Sequence, residues 1–217
     1  MLVKDYMTRH PLMADPTMSI MDAQRYMGEN RIRHLPIVGD GKRLLGLVTM
    51  HSLLADPSRI GSLDVWEIAR YLSRLTVDQT MIKAKDIITI GPDATIEEAA
   101  RVMVEKKVGC LPVLEEGILV GIITETDMMA HLMKMLGAPV CGIRVTIRMS
   151  DTKGELAKLV GAIAAQGWGI LSLGGAYVPK EPDKWDAVVK IDDAPREQIV
   201  AALSKVEGQH IIDVREV

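Results

Sequence analysis

The order of apolar and polar positions divides the chain into two segments with the same pattern and a third with a different one. In each of the first two segments, apolar residues recur at helical spacing and are followed by two short apolar runs joined by a polar turn. The pattern predicts a helix, a two-stranded hairpin and a closing helix in each. The predicted buried helix faces are Ile20, Ala23 and Met27 in the first segment and Ile96, Ala99 and Met103 in the second.

The boundaries of these elements are marked by capping and turn residues. Thr95 stands three residues before Glu98, which is the spacing of a capping box, and Ser19 with Asp22 is a weaker version. The closing helices are predicted to begin at Thr49 and Thr124. The hairpin strands are predicted at residues 35–38 and 44–49 and at 111–114 and 118–124, with extended pieces at 12–13 and 87–90 ahead of the first helices.

Single residues repeat as well as the pattern. Met7 corresponds to Met81 at an offset of 74, and the Thr that ends the second strand, Thr49, corresponds to Thr124 at an offset of 75. The Leu-Pro pairs at 35–36 and 111–112 differ by 76. Because the three offsets are so similar, they indicate a duplicated unit. Two copies can pack around a pseudo-twofold axis and leave clefts between them.

The connection between the repeats and the last part of the chain have patterns of their own. Residues 57–76 have apolar positions at helical spacing, which predicts an ordered linker helix in which Trp66 packs in the core. Residues 140–217 predict the order βαββαβ, a ferredoxin-like layer. Its predicted elements are a strand at 140–149, a helix at 151–166, strands at 170–178 and 185–191 around a turn at 179–184, a helix at 193–206 and a strand at 211–217.

Composition narrows the class of protein. The net charge of −3 and the pI near 6.0 give no electrostatic support for nucleic-acid binding. Cys110 and Cys141 are too few for a disulfide framework or a zinc knuckle, and we expect them to be small buried hydrophobic residues. No long apolar stretch or known catalytic motif occurs. We therefore expect a non-enzymatic, cytoplasmic protein with no membrane segment and no metal.

The motifs of the repeats resemble those of a known family. Gly46-Leu-Val-Thr49 and Gly121-Ile-Ile-Thr124, each downstream of a Leu-Pro pair and a Met, resemble a tandem pair of CBS domains. Asp151-Thr-Lys-Gly-Glu-Leu156 and Trp168-Gly-Ile170 resemble the ACT domain, although Lys153 stands where that family often has Pro. The combination resembles the AcuB family, named for acetoin utilisation. The expected fold class is α+β, with CBS repeats at 1–56 and 77–136, a linker at 57–76 and an ACT domain at 140–217.

The resemblance implies a regulatory sensor. CBS pairs typically bind an adenosine nucleotide, here AMP, ADP, ATP or S-adenosylmethionine, as a regulatory ligand and with no required cofactor. ACT domains often bind an amino acid, usually across a dimer interface. We therefore expect a homodimer that transmits its ligand state to a target protein. Two alternatives are a structural dimerisation adaptor without a nucleotide and, suggested by the family label alone, an enzyme acting on acetoin or a nucleotide.

The second repeat carries the stronger candidate site. Thr124 stands where a strand ends and a helix begins, a position suited to phosphate, and the Asp127 carboxylate can accept hydrogen bonds from both ribose hydroxyls. The alternative is that Thr124 caps the helix and Asp127 favours its dipole, and both roles can coexist. The expected remaining contacts of this cleft are Ile87, Ile88, Val108, Gly109, Cys110, Leu111 and Ile122.

The first repeat departs from this pattern, because Ser52 stands where the second has Asp127. A serine lacks the charge and the reach of the carboxylate, so this cleft, with Thr49, is expected to bind more weakly or to take another ligand. Arg33 and His34 either hold phosphate or lie on a solvated strand end.

The candidate ligand site of the last domain is its first strand-to-helix turn. The Gly154 amide is placed for a carboxylate and Asp151 for an amino group. The alternative is a helix cap with no ligand. The residues of this turn are Ser150, Asp151, Thr152, Lys153, Gly154, Glu155 and Leu156.

Overall fold

The structure, a computed structural model, describes residues 1–50, 52–53, 74–192 and 194–217. Most of the predicted linker helix with Trp66 lies outside the described residues, as does the continuation of the helix predicted from Thr49. The chain divides into two compact units, Met1–Met128 and Met129–Val217. The finer limits predicted for the repeats, the linker and the last domain stay predictions. In the described ranges, no helix has both the length and the apolar character needed to span a bilayer.

The first unit contains the two repeats. The elements of the first are α1 (Val3–Tyr6), β1 (Thr8–Arg9), α2 (Ile20–Glu29), β2 (His34–Val38) and β3 (Leu44–Thr49). The second begins with a 3-10 turn at Val77–Gln79 and continues with β4 (Ile82–Lys83), α3 (Ile96–Lys106), β5 (Cys110–Glu115), β6 (Ile118–Thr124) and α4 (Glu125–Met135). The part of α4 after Met128 belongs to the second unit.

The predicted helix faces and caps of the repeats are confirmed. The Ser19 hydroxyl oxygen accepts from the Asp22 amide at 3.0 Å, and the Thr95 hydroxyl oxygen accepts from the Glu98 amide at 3.1 Å. Each bond satisfies an amide that the first turn of a helix leaves without a backbone partner. The predicted apolar residues of α2 and α3 are all buried in the cores of their repeats. Amphipathic spacing therefore determined which side of each helix faces inward.

The leading strand of each repeat pairs with the sheet of the other repeat, which the sequence did not predict. β1 pairs antiparallel with β6, with Thr8 opposite Ile122, and β4 pairs antiparallel with β3, with Ile82 opposite Leu47. The resulting sheets have the orders β1-β6-β5 and β2-β3-β4. After each exchanged strand the chain returns to its own repeat, where Ala14 bridges Ile37 and Ile90 bridges Val113 in parallel.

The repeated Met and Gly residues make this exchange possible. Met7 lies over Gly121 and Met81 lies over Gly46, so closely that a Cβ on either glycine would overlap a methionine sulfur. Each contact joins a residue of one repeat to a residue of the other. The exchange therefore depends on the absence of a side chain at two positions of the central strands.

The second unit has the predicted βαββαβ order. Its elements are β7 (Ile143–Ser150), α5 (Glu155–Ala164), β8 (Gly169–Val178), β9 (Glu181–Asp192), α6 (Arg196–Leu203) and β10 (His210–Glu216). The antiparallel sheet has the order β10-β7-β9-β8. The alternating apolar residues of β7 are buried against Leu159 and Ile163 of α5 and Ile199 and Leu203 of α6.

The predicted turn at 179–184 is wrong. β9 begins at Glu181, which pairs with Val178, so the turn shrinks to Pro179 and Lys180. Lys180 has a φ of 72°, the left-handed conformation that such a tight turn requires. The first residues of β9 were missed because Glu181 to Asp183 are exposed. They therefore show no apolar pattern from which a strand could be predicted.

Candidate functional site

Thr124 and Asp127 form a reciprocal pair at the start of α4. The amide and the hydroxyl of Thr124 donate to Asp127 Oδ2 at 2.8 and 2.7 Å, and the Asp127 amide donates to Thr124 Oγ1 at 3.3 Å. Thr124 therefore caps the helix. Among the described residues, both hydrogen bonds that the carboxylate accepts go to Oδ2. The cap thus leaves Oδ1 available to a ligand hydroxyl.

Thr49 and Ser52 repeat this geometry without the charge. The Thr49 amide donates to Ser52 Oγ at 2.9 Å, and the Ser52 amide donates to Thr49 Oγ1 at 3.1 Å. The Ser52 hydroxyl in turn donates to the Thr49 carbonyl at 3.0 Å. The pattern of hydrogen bonds is therefore the same in both repeats. The difference is that Ser52 uses its single hydroxyl for these bonds, whereas Asp127 has a second oxygen.

Asp127 faces a cleft of about 390 Å³, which we call the first cleft. Its second-repeat lining includes Ile122, Thr124, Thr126 and Asp127. Its first-repeat lining includes Thr8, His10, Leu12, Arg31, Arg33 and His34. The exchanged strand β1 places Thr8 opposite Ile122 and so holds the two linings against each other.

A second cleft of about 230 Å³ occupies the equivalent place in the other repeat. Its lining includes Leu47 and Thr49 from β3, together with Ile87, Ile88, Val108, Gly109 and Cys110 from the second repeat. Asp86 and Lys107 are its charged residues, and His34 borders it as well as the first cleft.

The grouping of the predicted site residues is therefore corrected. Thr124, Asp127 and Ile122 lie with Arg33 and His34 in the first cleft. Ile87, Ile88, Gly109 and Cys110, which were expected beside Asp127, lie with Thr49 in the second cleft. The expectation failed because each cleft is built from the strand end of one repeat and the leading segments of the other.

Leu111 was expected to contact the ligand and does not border either cleft. Its side chain is fully buried in the core of the second repeat, together with Ile96 and Ile123. In β5 successive side chains alternate between the two faces of the sheet, so Leu111 points away from the cleft that Cys110 borders.

Four polar residues of the first cleft, Thr8, His10, Arg31 and Thr126, were missed from the sequence. Arg31 carried a usable signal, because it corresponds to Lys107 in the repeat and each of these basic residues stands four positions before the Leu-Pro leucine. The structure places Arg31 in the first cleft and Lys107 in the second. Thr8 and His10 have no such signal, since their place depends on the exchanged strand.

The buried side chain of Cys110 contacts one lining residue of each cleft. Its side chain packs with Leu47 and Ile122, and burial, with a contribution from the Glu125 carboxylate, raises the pKa of the thiol to about 12. Cys110 is therefore a neutral apolar residue at physiological pH, as the sequence predicted. Cys141, in contrast, is exposed, so its predicted burial is wrong.

His34 occupies the position that corresponds to Cys110 in the repeat. Its ring is half-buried, and a Cβ on Gly109 would lie 3.4 Å from its Cε1. Burial and the neighbouring Arg33 guanidinium lower the pKa of His34, while Glu125 opposes that shift. The imidazole is therefore neutral at pH 7, and the fixed positive charges of the first cleft are those of its arginines.

The lowered pKa of His34 leads to an expected pH dependence of stability. As the pH falls below the ordinary histidine pKa of about 6.5, the unfolded chain takes up a proton at His34 before the folded protein does. The free energy of unfolding should therefore fall until the pH has passed the folded pKa of His34. Urea unfolding at pH 7.5, 6.5 and 5.5 should show a smaller fall for His34→Gln. Parallel curves for the two proteins would contradict the assignment.

The predicted turn of the second unit leads directly into α5. Gly154 has a φ of 97° and directly precedes α5. The Glu155 carboxylate pairs with Lys158 Nζ at 2.6 Å and accepts from Gln209 Nε2 at 3.3 Å. Asp151, Thr152, Lys153, Gly154 and Leu156 are exposed. Local contacts therefore account for Glu155, and a ligand at this turn stays a prediction.

Comparison with protein families shows that both repeats match the same family. The sequence model of the CBS domain family matches residues 3–57 and 78–134, just over half of the chain. A crystal structure of a protein assigned to acetoin utilisation, AcuB from Vibrio cholerae, matches at a TM-score of 0.54 and 34% identity, and the match covers 64% of this chain and 95% of that one.

Two further relatives show how far the similarity extends. The crystal structure of CBSX2 from Arabidopsis thaliana in complex with AMP matches at a TM-score of 0.51 and 25% identity over 61% of this chain and 96% of that one. An uncharacterised protein of Methanocaldococcus jannaschii is 29% identical over 131 residues, which are 60% of this chain. The chain spans less than half of the length of the first curated relatives that it matches, and a quarter or less of those with enzyme names.

Proposed function

The chain belongs to the CBS domain family, and on that premise we propose that it is a non-catalytic regulatory sensor that binds an adenosine nucleotide in its first cleft. CBS pairs are generally regulatory modules. The observation that carries the proposal is the Asp127 carboxylate, which borders the cleft and keeps Oδ1 outside the helix cap.

The chemistry of the first cleft suits each part of such a ligand. A carboxylate can accept hydrogen bonds from vicinal ribose hydroxyls, and Thr124 stands beside it at the start of α4. Ile122, Ile32 and Leu12 supply apolar surface for the adenine ring. A volume of about 390 Å³ lies within the ordinary range of small-molecule sites. The AMP in the related CBSX2 complex is a ligand of the same chemical class.

The second cleft is the weaker nucleotide site in this proposal. It is smaller, and the residue that corresponds to Asp127 is Ser52, whose hydroxyl both accepts from and donates to Thr49. Loss of a hydrogen bond to a charged group typically costs about 1.5–3 kcal/mol, or roughly a tenfold to hundredfold loss of affinity. One nucleotide per chain is therefore the expected stoichiometry.

The remaining parts of the proposal concern the role of the second unit and the conformational response to nucleotide binding. The βαββαβ unit acts as an ACT-like domain that supports homodimer formation and takes an amino acid at residues 150–156, where the exposed turn leads into α5. Nucleotide binding favours one arrangement of the protein over another, and that difference reaches a target protein. The proposed location is the cytoplasm.

Thermal unfolding with and without AMP tests the nucleotide site. At about 100 times its dissociation constant, AMP should stabilise the folded chain by roughly 2.7 kcal/mol. Asp127→Asn keeps an oxygen for the helix cap but loses the carboxylate, so the AMP-dependent shift should largely disappear. Thr95→Ala is the matched control, because it removes the cap of α3 and lies outside the lining of both clefts.

The outcomes separate the proposal from its alternative. Thr95→Ala should lower the unfolding temperature and keep the full AMP-dependent shift. Absence of a shift with AMP, ADP, ATP and S-adenosylmethionine would instead support a structural dimerisation adaptor. A shift that survives in Asp127→Asn would place the ligand elsewhere in the chain.

A further inference from the structure

The two clefts differ in charge although they occupy equivalent places. The first cleft is bordered by Arg31, Arg33, His10 and His34 against one carboxylate, Asp127. The second shares His34 and otherwise has one lysine, Lys107, and one carboxylate, Asp86. In the repeat alignment, Arg33 corresponds to Gly109, His34 to Cys110 and His10 to Ala84. The excess of basic groups is therefore specific to the cleft that also contains Asp127.

Arg33 is held where it can meet an anionic part of a ligand. Its Nη2 donates to the Thr126 hydroxyl at 3.2 Å, which fixes the guanidinium beside the first turn of α4, one residue from Asp127. The hydroxyl is a neutral partner, so this bond does not neutralise the charge of Arg33. In the part of the chain that the structure describes, no ion pair includes Arg31 or Arg33.

Arg31 adds a second observation. Its φ is 54° and that of its counterpart Lys107 is 55°, so both have the left-handed conformation that favours glycine after a helix. Each repeat nevertheless has a long basic side chain there, at the border of its cleft. Backbone conformation alone favours a different residue type. A positive charge at the cleft is a feature that a glycine could not supply.

From this charge distribution we propose that the first cleft selects adenosine ligands that carry phosphate, such as AMP, ADP and ATP, over uncharged adenosine and positively charged S-adenosylmethionine. The inference rests on the proposed nucleotide site and specifies its ligand class. Asp127 holds the ribose, while Arg33 and Arg31 pair with phosphate oxygens through charge-assisted hydrogen bonds. The sulfonium of S-adenosylmethionine would meet like charge at the same place.

Titration calorimetry on the full chain tests this selectivity, with adenosine, AMP, ATP and S-adenosylmethionine as the probes. We expect AMP and ATP to bind roughly tenfold to hundredfold more tightly than adenosine, the range of a hydrogen bond to a charged group. The advantage should shrink as salt is raised from 50 to 500 mM, because the arginines are exposed to screening. Arg33→Gln should weaken AMP and ATP binding toward the affinity of adenosine.

Two further variants guard against a nonspecific effect. Arg31→Gln should weaken AMP and ATP in the same direction, which keeps the proposal testable if Arg33→Gln folds poorly. Lys42→Gln removes one positive charge from an exposed residue that also has a left-handed backbone, with a φ of 60°, and that lies outside the lining of both clefts. It should bind AMP like the parent chain.

The possible failures are distinguishable. If adenosine or S-adenosylmethionine binds the parent chain as tightly as AMP, the phosphate selectivity is overturned and the nucleotide sensor stands. If AMP affinity is unchanged in both arginine variants, the assignment of phosphate to these side chains is overturned. If none of the four probes binds, both the selectivity and the proposed function fail.

Discussion

Replacement of Gly175 by alanine should destabilise the second unit by about 3 kcal/mol, at the upper end of the usual cost of overpacking. A Cβ at this position would overlap Cζ2 of Trp185 and lie 2.6 Å from two further ring atoms. The indole is a rigid plane that packs against the core of the unit, so it has no flexible end that could move aside. Either the ring leaves its place or β8 moves away from β9.

Gly174→Ala is the matched control, one position along the same strand. Its Cβ would meet one atom, Leu136 Cδ2, at 3.4 Å, and the end of a leucine side chain can rotate. Thermal unfolding should therefore change little for Gly174→Ala. For a unit of this size each kcal/mol corresponds to about 4–8 °C, so the two variants should be well separated. Equal unfolding temperatures would contradict the contact with Trp185.

Alanine at Gly46 should destabilise the first unit by about 2–3 kcal/mol and alanine at Gly121 by about 1–2 kcal/mol. Both would overlap a methionine sulfur from the other repeat, of Met81 and Met7 respectively. At Gly46 the Cβ would also lie 2.9 Å from the carbonyl oxygen of Ile82. Because that oxygen belongs to the backbone of β4, it cannot turn away as a side chain can.

A double-mutant cycle separates these two contributions. In a Met7→Ala background, Gly121→Ala should cost almost nothing, because its obstacle is a side chain. In a Met81→Ala background, Gly46→Ala should keep part of its cost, which comes from Ile82. Gly28→Ala, in α2 with no atom within 4 Å of its Cβ, should be neutral or stabilising. Urea unfolding gives all of these values, and fully additive costs would refute the exchanged contacts.

Much of the fold could be predicted from the sequence wherever local spacing determines burial. Ile20, Ala23 and Met27 show the inner face of α2 because a helix repeats every 3.6 residues, and β7 shows its inner face through strict alternation. The exchanged strands β1 and β4 have two residues each, too few for any periodicity. Their partners are far away in the sequence, so nothing local indicates them.

In the candidate site, too, local motifs could be predicted from the sequence and contacts between the repeats could not. Thr124 and Asp127 were found because a helix cap is a local motif with a spacing of three residues. Arg33 and His34 were assigned to a different cleft from Asp127, because all residues of a cleft were expected to come from one repeat. That grouping is wrong for Arg33, while His34 borders both clefts, since the first cleft combines the strand end of one repeat with the leading segments of the other.

The exchange of β1 and β4 has a consequence for the origin of the duplicated module. A chain with a single repeat would have an open sheet edge and an unused strand, and a second copy could complete it by exchanging strands in both directions. Such a pair is a swapped dimer with an isologous interface. Fusion of two copies makes that association intramolecular, at an effective concentration on the order of millimolar. Fusion also frees the halves to diverge, so that one cleft can keep a carboxylate at its strand end and gain arginines while the other has a lysine and a cysteine.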